Sequence, residues 1–266
     1  MAALNPSVIE MHCSADDLLW RPDRLYGVPL AVHVPEYCDG ELLDPSSLDE
    51  AKRLRAQAMY VKATVAAASW SPMFRGKPRV VFHPGSQSCD ENPRGDRDAL
   101  MAALGKTVDA MKAVSGDGVD VLIENLPEIC WFNGGSWKAQ FMTRGTDLAE
   151  FCEWKNIGAT LDLCHLHLTP HDVLAEIRAA LPHVRHVHYS DGIYRVDGHA
   201  VYKEGLQIGD GDMPLRSYLS ELSTAGGVGD KMVHAVPEIW YGHENKGAGF
   251  VQAWKALESR MESAYT

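Results

Sequence analysis

The chain has six cysteines (Cys13, Cys38, Cys89, Cys130, Cys152, Cys164) but no CxxC pair. Scattered in this way they exclude a zinc ribbon and argue against a disulfide framework, leaving the reduced thiols of a cytoplasmic protein as the expectation. No stretch reaches the roughly 18 uninterrupted apolar residues that a membrane helix requires. The opening residues, "MAALNPSVIEMHCSADD", contain no basic segment followed by an apolar run, so no secretory leader is expected. Clustered Lys and Arg are also missing: 36 acidic residues stand against 25 basic ones, a formal charge of −11. Such a balance repels phosphate backbones and disfavours nucleic acid as a partner. There is no Ser/Pro/Gly linker, low-complexity tract or internal repeat, so residues 1–266 read as a single domain.

What is present is an alternation. "VIEMH" (8–12), "VPLAVH" (28–33), "RVVFH" (79–83), "VDVLIEN" (119–125), "GATLD" (158–162), "VRHVH" (184–188) and "MVHAVPE" (232–238) are short, β-branched and nearly solid with apolar residues. Helical patterns lie between them, over 46–70 (capped by serines), 97–114, a segment opened by Thr169–Pro170 with Asp172 at capping-box spacing, 213–222 and 249–261. This pattern predicts an α/β protein with a parallel sheet covered on its faces. The length of 266 residues suits one TIM-type (β/α) barrel, typically about 250 residues. Seven strands are recognisable rather than eight, so the barrel is expected to be incomplete or irregular on one side. Such a barrel could cover its open side with a second copy, which makes a homo-oligomer compatible with the sequence.

Six successive strands end in a group that binds protons or metals: His33, His83, Glu124, Asp162 with His165 three residues on, His188, and Glu238. In a parallel barrel the C-terminal strand ends converge on one face, so these side chains are predicted to share a pocket. Carboxylates and imidazoles crowded out of water repel one another and lose solvation unless a cation compensates. A divalent metal is the expected cofactor, and no organic cofactor is expected. Carboxylates favour Mn²⁺, Mg²⁺ or Co²⁺, and each added histidine shifts the preference toward Zn²⁺ or Fe²⁺.

The ordered set "LIENLP", "LDLCH", "HVHYSDG", "IGDG" (208–211) and "VPEIW" resembles the xylose isomerase-like barrel superfamily, which holds sugar isomerases and epimerases as well as endonuclease IV-type nucleases. The resemblance implies a four-ligand metal site of Glu124, Asp162, His188 and Glu238. It further implies that Glu124 and Glu238 remove and return a proton beside a sugar carbonyl. For the nuclease-like branch, the resemblance implies that His33 and His83 hold another metal with Glu124, and that His165, Asp197 and His199 serve a third position. One departure stands out: "AVYKEGLQI" separates His199 from Gly209, so either the loop carries an insertion or Asp197 and His199 are surface residues.

The loops favour the first branch. "VPEYCDGELLD" after His33 has four acids and no base, and "PGSQSCDENPRGDRD" after His83 sets two arginines against four acids. The leading expectation is therefore a metal-dependent isomerase or epimerase acting on a small carbohydrate or its phosphate, with a metal-dependent phosphodiesterase of the apurinic-site type as the alternative. Lys138 and Arg144 are candidates for a phosphate or carboxylate of the substrate. Trp131, Trp137, Trp240 and Tyr241 are candidates for stacking on a sugar face. Glu10 and His12 lie on the first strand, and one of the two is expected to face the pocket. His186 and His234 can face either way, His167 reads as structural, and His183 and His243 have no motif support.

Overall fold

The structure is a computed structural model that describes residues 6–88, 96–132, 135–196, 200–224 and 233–262. Seven parallel strands form its main sheet: β1 (Ile9–His12), β2 (Leu30–His33), β3 (Arg79–Phe82), β4 (Asp120–Glu124), β5 (Gly158–Asp162), β6 (Val184–Tyr189) and β7 (His234–Pro237). They follow one another in chain order and are each hydrogen-bonded to the next, but among the described residues β7 is not paired with β1. The result is a nearly closed barrel with an unsealed seam, as the strand count predicted.

Helices cover the outside: α1 (Glu50–Trp70), α2 (Arg97–Ser115), α3 (Gly145–Lys155), α4 (Val173–Ala180), α5 (Leu215–Thr224) and α6 (Glu244–Glu262). The starts of α1, α2 and α4 are set by aspartates. Asp49 accepts the backbone N–H groups of Ala51 and Lys52, Asp96 that of Ala99, and Asp172 that of Ala175. Such caps contribute about 1 kcal/mol each. Two expectations change here. The serines at 46–47 precede the helix instead of capping it, and Asp172 is itself the cap, so Thr169–Pro170 lie outside α4. The first turn of α6 contains left-handed residues Asn245, Lys246 and Gly247, and regular helix follows Gly247, near the predicted start. No helix among the described residues is long and apolar enough to cross a membrane.

The period of two along each strand divides the side chains between two environments. Val32, Phe82, Ile123, Leu161 and Val187 join the apolar core beneath the helices, together with Tyr60, Trp70, Leu104 and Phe151. The alternate residues point into the barrel. His12 lies opposite His33 and Asp162 opposite His188, whereas His33 lies opposite Val81 and Glu124 opposite Thr160, so some strand ends are offset by two residues. The polar strand ends nevertheless converge at the top of the barrel interior.

Candidate metal centre

Glu124, Asp162, His188 and Glu238 each place a ligand atom within 4.8 Å of the others. Glu124, Asp162 and His188 are buried, whereas the Glu238 side chain keeps 27% of its surface exposed. His188 Nδ1 lies 3.0 Å from Glu124 Oε1 and 2.9 Å from Glu238 Oε2. Its Nε2 faces Glu10, 3.0 Å from Oε1 and 3.1 Å from Oε2. An ionised carboxylate only accepts hydrogen bonds, so the Glu10 side takes the Nε2 hydrogen. A neutral His188 then turns the Nδ1 lone pair toward two anionic oxygens, an arrangement that needs a positive charge between them. A proton or a divalent cation meets that need, so the donor set fits a metal of the kind its two glutamates, aspartate and imidazole prefer.

The electrostatics of the protein without metal say the same. Burial works against a charged His188, but Glu10, Glu124 and Glu238 outweigh it and hold the imidazole pKa well above its usual value. Burial would raise Glu124 and Glu238, and the neighbouring His188 overrides it in both, keeping them below the ordinary carboxylate range. Asp162 has less compensation: burial pushes its carboxyl up to about 7, only partly offset by His165. Protons on imidazoles thus occupy the role a cation would fill.

Two elements fix Asp162. Buried Asn125, which follows β4, donates to the Asp162 carbonyl at 3.0 Å and accepts its backbone N–H at 2.9 Å, which ties the end of β5 to the residue after β4. Asp162 also caps a one-turn helix, Leu163–His167, by accepting the backbone N–H of His165 at 2.6 Å. That turn directs His165 toward Asn125, whose carbonyl lies 2.7 Å from Nδ1, and toward Glu124 at 3.7 Å. His167 points elsewhere, to Tyr218 and Asp212, as a structural residue would.

A second group adjoins the first. His33 Nε2 and His83 Nε2 lie 3.3 and 3.6 Å from Glu124 Oε2, and the three form another candidate ligand set. Burial lowers the His33 pKa, but Glu124 overcomes this and brings it to about 9. Glu124 is the one residue common to both sets.

A cavity of about 950 Å³ opens above these residues, and its walls include Glu36, His165, Glu204, Trp240 and Trp254. Trp240 stands at the rim, half exposed. Lys138 is exposed on the strand Gly135–Ala139, paired with Ile129, and is not among the cavity-lining residues. Trp131 lies on the neighbouring strand Ile129–Phe132. Arg144 pairs with Glu176, at 2.6 and 2.9 Å. Asp197 and His199 lie outside the described residues.

Two residues of the cavity, Glu36 and Glu204, carried no assignment in the sequence, and Glu10 and His12 carried only a shared one. Glu10 and His12 both face inward, where one of the two was expected to, because residues two apart on a strand share a face. His12 stacks on His33, ring centroids 4.1 Å apart, and reaches to 3.4 Å from Glu238. Glu36 lies 3.4 Å from His83. Glu204 belongs to the apparent insertion before Gly209, which folds as the return strand of a hairpin, Asp191–Val196 with Ala200–Leu206. This return brings Glu204 to 4.0 Å from His165. The "GDGD" segment closes the hairpin as a turn built on Asp191, which accepts the backbone N–H groups of Gly209 and Met213.

Solved structures with the same architecture include a D-tagatose 3-epimerase-like protein, 22% identical with a TM-score of 0.68, covering 98% of this chain and 90% of that one. The D-psicose 3-epimerase of Clostridium cellulolyticum H10 is 14% identical with a TM-score of 0.66, over 98% of this chain and 90% of its own. The 3-keto-D-glucoside 4-epimerase of E. coli is 14% identical with a TM-score of 0.61, over 87% and 80%. At these identities the likeness is one of fold. No curated protein matches the sequence. The model of the xylose isomerase-like TIM barrel matches residues 24–260, and with most of its length so covered the chain belongs to that family.

Proposed function

We propose that the protein is a divalent-metal-dependent isomerase or epimerase of a small sugar or sugar phosphate. The observation that carries this reading is the convergence of Glu124, Asp162, His188 and Glu238, within 4.8 Å of one another, with Asp162, His188 and Glu238 lining an open cavity. Those four residues would hold the cation, and when bound it would supply Lewis-acid polarisation of the sugar oxygens. The chain's own part is proton transfer. Glu124 and Glu238, held ionised, are both able to accept a proton from a carbon beside a carbonyl. One glutamate takes that proton as a carboxylate; the other, first protonated by solvent or a substrate hydroxyl, gives its proton to the opposite face, so the carbon inverts with no net redox change. Trp240 at the rim offers an aromatic face to the sugar's C–H surface.

The test is incubation of the metal-loaded protein with ketoses and their phosphates in D2O. The expected result is deuterium at the carbon beside the carbonyl, lost in Glu124→Gln and Glu238→Gln. Undiminished exchange in the double variant overturns the mechanism.

The second reading, a metal-dependent phosphodiesterase, is favoured by the His33, His83 and Glu124 group. Against it, Glu36 and Glu204 add negative charge to the cavity that a polyanion would enter. Metal content separates the two: one ion per chain favours the epimerase, and three ions with cleavage of an abasic-site oligonucleotide favour the phosphodiesterase.

A further inference from the structure

One layer below the metal centre, inside the barrel, Glu10 joins two imidazoles. Its Oε2 lies 2.6 Å from His186 Nε2 and 3.1 Å from His188 Nε2, and its Oε1 lies 3.0 Å from His188 Nε2. All three residues are inward-facing, Glu10 from β1 and the histidines from β6, and the Glu10 side chain is only 2% exposed. His12 adds a more distant contact, 3.8 Å from Oε1. The other nitrogen of His186, Nδ1, is buried without a hydrogen-bond partner among the described residues. His186 therefore gives its one ring hydrogen bond to Glu10, which explains why a polar ring is tolerated there.

We propose that Glu10, steadied by His186, is the positioning residue of the metal centre. By accepting the Nε2 hydrogen of His188 it fixes that ring's tautomer and angle, with Nδ1 turned to Glu124 and Glu238. The inference rests on the four-ligand reading above and goes beyond it, since Glu10 and His186 are outside those four ligands; with His188 they form a candidate ligand set of their own, and an Nε2–H on His188 in the Zn²⁺-loaded wild type excludes direct binding there. The chemistry is that of a carboxylate–imidazole–metal triad, in which a carboxylate behind the ligand increases its basicity and sets its orientation. Glu10 also spans from the free edge strand β1 to β6, so a role confined to holding the barrel together is the competing explanation. An amide at this position separates the two. Gln keeps an acceptor oxygen and the side-chain size but loses the charge, and its NH2 must face one of the two imidazole N–H groups.

The experiment measures Mn²⁺ affinity by calorimetry in the wild type and Glu10→Gln, alongside the melting temperature without metal. Imidazole NMR spectra of the Zn²⁺-loaded proteins report which ring nitrogen of each histidine carries hydrogen. The expected result is an affinity loss of about 10–100-fold in a variant that still folds without metal, with the Nε2–H pattern of His188 lost. His186→Gln, which leaves Glu10 one imidazole partner, is expected to show a smaller loss in the same direction, and it carries the test if Glu10→Gln does not fold. Equal Mn²⁺ affinity in wild type and variants overturns the proposal while leaving the four-ligand reading intact. Collapse of the metal-free fold in both variants also overturns it, assigning Glu10 to the architecture alone. A wild type that binds no divalent ion removes the four-ligand reading itself, and the proposal with it.

Discussion

Mn²⁺ titration of the metal-free protein at pH 8, followed by thermal unfolding, separates the two candidate ligand sets that contain Glu124. At that pH Asp162, raised to about 7, is ionised. Free Mn²⁺ at a hundred times its Kd stabilises the folded chain by RT ln 101, about 2.7 kcal/mol. A protein of this size shifts by about 2–4 °C per kcal/mol, so the midpoint should rise by roughly 5–10 °C. The geometry dictates which substitutions remove that shift. Asp162 belongs to the four-ligand set alone, His83 to the other set alone, and Glu124 to both. Asp162→Asn preserves the cap on His165, because an amide oxygen also accepts from a backbone N–H, so the change bears on the metal and not on the local fold. If it weakens Kd about a hundredfold, the same Mn²⁺ concentration leaves RT ln 2, about 0.4 kcal/mol, and the shift falls to roughly 1 °C. Glu124→Gln should lose the shift as well, and His83→Asn should retain it. A wild type whose midpoint ignores Mn²⁺, or an Asp162→Asn protein that shifts as far as the wild type, refutes the reasoning.

Two further predictions concern the supports of the site. Asn125→Ala leaves the buried backbone N–H and C=O of Asp162 without their partners, and should cost about 2–4 kcal/mol in urea unfolding with weakened Mn²⁺ binding; unchanged stability would show that the two strand ends do not depend on this bracket. Glu176 accepts from Arg144 and from the Thr146 backbone and hydroxyl at the start of α3; burial alone would raise its carboxyl, but these bonds hold it below its unfolded value of 4.5. A depressed carboxylate contributes stability above the unfolded pKa and loses it as pH falls through the folded one, so stability of the wild type should decline below about pH 4.5 more steeply than that of Glu176→Gln, and parallel pH profiles would count against it.

The legible part of this protein was the part governed by local period and by strand ends. Strands such as "VDVLIEN" and "GATLD" announce themselves by β-branched residues, and a polar group at the last position of a buried strand has few reasons to be there. The hidden part depended on partners far away in sequence. Nothing around Glu10 indicates that His186 and His188, more than 170 residues later, complete it. Residues 10 and 12 share a face by arithmetic, yet which face is inward emerges only when Met11 is seen packed against the apolar core. Glu204 was concealed for another reason: its segment interrupts a motif and resembles an insertion, and only the hairpin pairing of Tyr194 with Tyr202 shows that it turns back. Helix α3 has no side-chain cap and begins at Gly145, which packs against the backbone of Glu176 too closely for a Cβ, so a residue chosen for tertiary contact hides the start of a helix.

The seam makes the two glutamates unequal in mobility. Glu124 ends a strand hydrogen-bonded on both sides, by β3 and β5, while Glu238 follows β7, whose only ladder partner among the described residues is β6. Strands with a single neighbour exchange their amide hydrogens and shift position more readily than interior ones. On the proposed reading one carboxylate would be a fixed anvil and the other a movable jaw, and the width of what they grip would be set by how far an edge strand can lean.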